Sequence, residues 1–177
     1  MNRSLLYVLT VAICSGPVIA ADAAAASPQV EHGRQLFQRS AKAQGCVTCH
    51  SMEGTGVAVG PDLKVLGSVV GPRGLANTIR MSNTCYVQEY TLADGTGFPG
   101  IEKRKEGGMV EVWDLTSVPA TLRMLKATDI ASMKPNTQWQ HPPTAVEYNP
   151  QELADIIAYV KFASTGVAKE VTPDELH

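Results

Sequence analysis

Hydrophobic positions fall at helical spacing in two stretches that lie far apart in the chain. Leu153, Ile156, Ile157 and Val160 make one apolar stripe, the spacing expected when a helix buries a single face. Asn149-Pro150-Gln151-Glu152, just ahead of it, combines an N-cap, a proline at the first helical position and a glutamate at the third. Gly166 is a natural stop. Near the other end, Ser27-Pro28 opens a predicted helix to about Ser40, with Val30, Gly33, Leu36 and Phe37 on one face. A shorter helix is predicted around residues 75–81.

The middle of the chain changes period. Tyr86-Val87-Gln88-Glu89-Tyr90-Thr91-Leu92 alternates and is rich in β-formers, and Ala93-Asp94-Gly95 reads as a turn. Phe98 to Glu102 can pair back, with Pro99 confining it to an edge or a bulge. Lys103 to Gly108 is a charged, glycine-ended turn, after which Met109-Val110-Glu111-Val112-Trp113 and Thr121-Leu122-Arg123-Met124-Leu125 alternate again. Three or four short strands in a row predict a small antiparallel β insertion over about 86–130, in a chain that is otherwise mainly α.

Length and charge narrow the setting. The 177 residues suffice for one domain, and a net charge of −2 gives no sign of nucleic-acid binding. Arg3 followed by the apolar run from Leu5 to Cys14 reads as a secretory signal, with Val18-Ile19-Ala20 as the cleavage site. The expected division is a signal peptide over 1–20, a mobile tail over 21–27, one domain over 28–166 and a C-terminal tail over 167–177. The apolar run is too short to span a bilayer, so the mature chain is expected to be periplasmic or secreted, with no membrane span. Cys14 follows Ile13, which is not the small residue a lipoprotein anchor wants. Cys85 is expected to be an ordinary buried thiol.

Cys46-Val47-Thr48-Cys49-His50 carries the chemistry. Two thiols three residues apart, with a histidine straight after the second, are what covalent attachment of haem c requires. Each thiol forms a thioether with a haem vinyl group, and the turn brings the histidine under the iron. A zinc site would want two more ligands from a second such pair, and the sequence has none. A thioredoxin-like dithiol would want βαβ flanks, whereas these flanks read as helix and as a loop dense in glycine, Gly54-Thr55-Gly56 and Gly60-Pro61-Asp62-Leu63.

From Glu31 to His50, and again from Gln138 to Ala163, the chain resembles the class I cytochromes c. Gly33, Phe37, Cys46, Cys49 and His50 match the opening pattern of that family, and residues 153–160 look like its closing helix. The resemblance implies a cytochrome c-like helical fold around one haem, with the first and last helices crossing at Gly33 beside Phe37 and Tyr159. It also implies that Pro61 packs under the haem and that its carbonyl accepts from the His50 ring. The β-rich stretch departs from small members of the family and is similar in layout to an insertion in a haem-binding domain of large bacterial multidomain proteins.

The family usually places a methionine, followed by proline, on the far side of the iron. Met52 is too close to His50 to reach round, and Met81, Met109 and Met124 fall in predicted helix or strands, where core packing is the default. Met133 is predicted in a loop. Counting back from Tyr159, the place of that methionine holds His141, 18 residues earlier and followed by Pro142-Pro143, whereas Met133 lies 26 residues earlier. His141 is favoured, with Met133 the alternative and Trp139 as a cover for the haem face. A second imidazole would lower the potential and a thioether would raise it. His32 is expected to be a solvated helix residue.

These residues imply an electron carrier rather than an enzyme, passing single electrons between redox protein partners. Two other functions share the motif. One is a haem subunit docked in a larger dehydrogenase or reductase, with Lys103-Arg104-Lys105 as a basic tip that steers a partner. The other is a haem enzyme or gas sensor with a displaceable distal ligand.

Overall fold

The computed structural model describes residues 25–38, 45–81, 86–141 and 148–177. The expected signal peptide, Cys85 and Pro142-Pro143 lie outside the described residues. Four α-helices are described, α1 (Pro28–Gln38), α2 (Leu63–Val69), α3 (Pro72–Arg80) and α4 (Pro150–Thr165). Between α3 and α4 run five strands, β1 (Gln88–Leu92), β2 (Gly97–Glu106), β3 (Met109–Asp114), β4 (Thr121–Lys126) and β5 (Ile130–Pro135).

The mainly α expectation is therefore corrected. Helices and a five-stranded antiparallel sheet share the chain, each with its own core. The expected meander stopped one strand short, because β5 continues the sheet to Pro135 and pairs with β1.

Helices α1 and α4 cross with backbone against backbone. A Cβ added at Gly33 would stand 1.8 Å from the Asp155 carbonyl oxygen, so only glycine fits. Phe37 and Tyr159 meet edge to face beside the crossing, their ring centres 5.4 Å apart. The capping box at α4 forms as its sequence implies, with Asn149 and Glu152 exchanging side-chain bonds to backbone N–H groups. Lys161 reaches from α4 to the end of α2, where its Nζ donates to Gly67 O at 2.7 Å and Val70 O at 3.1 Å. A cation there answers the exposed carbonyls of a helix terminus.

The residues after Gly166 are not a free tail. Val171 and Leu176 are buried in the helical core, and Gln29 clasps Val171 through both its amide atoms. Buried Asp155 collects Gln29 and Gln151 at one carboxylate oxygen, and the His32 Nδ1–H at the other (2.7 Å), so His32 is half exposed but bonded.

The sheet has the order β4-β3-β2-β1-β5, so its edge strands are consecutive in sequence. Laid flat, five strands would set those edges about 19 Å apart. The three residues Ala127–Asp129 that join them span at most about 14 Å. The sheet must therefore curl, and Tyr90, Phe98, Val110 and Val112 fill its concave side, with Tyr90 and Phe98 stacked at 5.3 Å. Met81 and Met124, expected in the core, are largely exposed. Met52 is the methionine that the helical core takes in. Among the described residues, no helix is long and apolar enough to cross a membrane.

Candidate haem site

The attachment turn is a single 3-10 turn, Cys46–Thr48. Cys49 N and His50 N both donate to Cys46 O, at 3.1 and 2.8 Å, so the chain reverses within a few residues. Val59 N and Gly60 N then bond to Cys49 O, at 3.1 and 2.7 Å, which folds the glycine-dense loop back under the turn. A Cβ at Gly60 would lie 2.5 Å from His50 Cε1, so a bare backbone is needed against the ring. The sequence placed Gly60 in the loop without this role. Its only trace was the Gly-Pro pair itself.

His50 Nδ1 lies 3.0 Å from Pro61 O. A carbonyl can only accept, so the hydrogen sits on Nδ1 and the lone pair on Nε2. Burial holds the ring below the ordinary histidine pKa, the Pro61 carbonyl works against that shift, and His141 adds to it. The result is a neutral imidazole with a metal-binding nitrogen on a fixed axis.

Burial pushes the Cys46 thiol up to about 11, and burial also raises Cys49. Neither is activated as the thiolate that dithiol redox chemistry uses. Among the described residues, no group of three His, Cys, Asp or Glu side chains is arranged to hold a metal ion. A zinc site built on Cys46 and Cys49 would need such a group.

Opposite His50 stands His141, with ring centres 6.2 Å apart and planes tilted by 35°. Trp139 meets His141 edge-on at 6.3 Å. Two imidazoles that share one metal through nitrogens about 2 Å away have ring centres on the order of 6 Å apart. The pair therefore fits a haem iron between its rings. The fold thus brings together Cys46, Cys49, His50, Pro61 and His141. Met133 is placed differently from its expected loop. It sits in β5 opposite Tyr90, half exposed, because pairing with β1 carries the strand to Pro135. The basic tip is also largely neutralised, since Lys103 and Arg104 both pair with Glu111, and Arg104 also with Glu106.

The sequence pattern of the cytochrome c family matches residues 30–164. Those residues are well over half the sequence and span both helices of the crossing, the attachment turn and the sheet. The chain belongs to the cytochrome c family. No curated protein matches it. Family membership carries covalently attached haem c, with Cys46 and Cys49 in the thioether positions, and haem-based electron transfer.

Proposed function

We propose that this chain is an exported, mono-haem cytochrome that carries single electrons between redox proteins and catalyses no reaction of its own. His50 and His141 are the two side chains that would hold its haem iron. The approach of these two rings to 6.2 Å carries the proposal. The sequence holds one C-x-x-C-H motif, which supports a single haem, and residues 1–20 carry the pattern of a cleaved signal.

Haem c, when bound, supplies a reversible one-electron iron couple. The chain does the rest. Cys46 and Cys49 would retain the group covalently in both oxidation states. The Pro61 carbonyl fixes the His50 tautomer and makes Nε2 the more basic nitrogen. Gly60 lets the backbone press on the ring and limits its rotation. With His50 and His141 both held by the fold, the same two side chains would hold the group in either oxidation state, and little would need to reorganise.

The ferric absorption spectrum of the holoprotein, extended into the far red, tests the axial pair. The expected result is low-spin iron without the weak sulfur-to-iron band, a high-spin His141→Ala variant and an unchanged Met133→Ala variant. A sulfur band that disappears in Met133→Ala would replace His141 with Met133. A high-spin wild type would end the carrier proposal. The N-terminal residue of the mature protein tests export, and Ala21 is expected.

A further inference from the structure

His141 reaches its place from the sheet. Strand β5 ends at Pro135, and the next residue, Asn136, sits at the junction between strand and loop. Its backbone N–H donates to Val87 O at 3.0 Å, and its Nδ2 donates to Glu89 Oε2 at 2.7 Å. Both bonds run back to the chain at β1. Its Oδ1 accepts from Gln138 N at 3.0 Å and Trp139 N at 2.8 Å, and both of those bonds run forward into the loop. Asparagine suits the position because one side chain offers a donor and an acceptor together. The forward pair is an Asx turn, in which the side chain stands in for a backbone carbonyl.

We propose that Asn136 is the positioning residue for His141. It clamps the loop onto β1 and, through the Trp139 backbone, sets the indole that meets the His141 ring edge-on. The chain of contacts runs from Glu89 to Asn136, then Trp139, then His141. The approach of His141 to His50 is thus set from the sheet. Ahead of α4, Tyr148 donates from its hydroxyl to Leu36 O at 3.3 Å, which ties the start of that helix to α1. This inference rests on His141 being the second axial ligand.

The test compares full-length holoprotein with His141→Ala, Asn136→Ala, Asn136→Asp and the double variant Asn136→Asp with Glu89→Gln. The readouts are the ferric spin state, the carbon monoxide association rate of the ferrous protein and the hydrogen exchange of the Trp139 amide. Asn136→Ala is expected to admit a high-spin fraction, to expose the Trp139 amide and to speed carbon monoxide binding about tenfold, the scale of one or two lost hydrogen bonds. Asn136→Asp sets a carboxylate against Glu89 and is expected to act in the same direction. Adding Glu89→Gln supplies an amide donor to the new carboxylate and is expected to restore the wild-type rate and spin state, which general damage to the fold would not do. Unchanged spin state and rate in both single Asn136 variants, with His141→Ala high-spin, would overturn the clamp and leave the axial pair standing. Failure of the double variant to rescue would overturn the link through Glu89. A low-spin His141→Ala would remove the axial pair and this inference together.

Discussion

His50 and His141 face each other at 6.2 Å, yet different parts of the molecule hold them. Among the described residues, the hydrogen bonds that orient His50 lie within residues 45–61, in a turn and a loop. That loop leans on a helical layer in which buried polar groups are matched. Asp155 has three side-chain partners, and the Tyr159 hydroxyl donates to Glu53 Oε2 at 3.0 Å. His141 follows a curled sheet with a small core of its own, where the buried Tyr90 hydroxyl and Trp113 Nε1 have no hydrogen-bond partner among the described residues. The contrast teaches where this protein is stiff and where it can be tuned. Changes in the sheet can shift His141 without disturbing the attachment turn, whereas changes at the helix crossing reach the layer on which that turn leans.

The sharpest way to break the contrast is Gly33→Ala. Its methyl group would drive into the Asp155 backbone, and a loss of about 3 kcal/mol or more is expected in thermal unfolding. Tyr159→Phe should cost about 1 kcal/mol in denaturant unfolding, because its partner Glu53 is partly exposed. Lys161→Met keeps the stem and removes the cation at the end of α2, at a cost of about 1 kcal/mol. Tyr90→Phe tests the opposite expectation. It removes a buried hydroxyl without a partner, so stability should hold or rise by less than about 1 kcal/mol. A clear loss there would erase the distinction between the two layers.

The smallest effect is expected at Glu111. Arg104, then Lys103, hold its carboxyl below the ordinary value. A depressed folded pKa means that the stabilisation is present above the unfolded value of 4.5 and fades as pH falls through the lower folded value. Glu111→Gln should therefore lower stability slightly at neutral pH and leave it little changed below the folded pKa, which flattens the acid limb of a stability-versus-pH curve.

The first and last helices were legible because caps and apolar spacing agree there, and the attachment turn because its chemistry needs five residues in a fixed order. Four strands showed in alternation. Three elements did not show. Helix α2 (Leu63–Val69) is short and rich in valine, and its stability comes from packing on α4 and the Asp62 cap rather than from propensity. Strand β5 ends in proline and is an edge, held by pairing with a strand 38 to 47 residues earlier. Val171 and Leu176 are single apolar residues among polar ones, too sparse for any period to reveal. His141 was visible only through its distance from Tyr159. The clamp at Asn136 left at most a trace, an asparagine two and three residues ahead of the amides it accepts from.

The clasp between Gln29 and Val171 joins residues 142 apart. It sets an order of events during synthesis. The helix that leads into the attachment turn has no surface to rest on until α4 and the residues around Leu176 have left the ribosome, and contacts of such separation form late. Through that interval Cys46 and Cys49 travel in an open chain. Access to the two thiols is widest while α1 and residues 171–176 are apart, and the closing of the clasp narrows it.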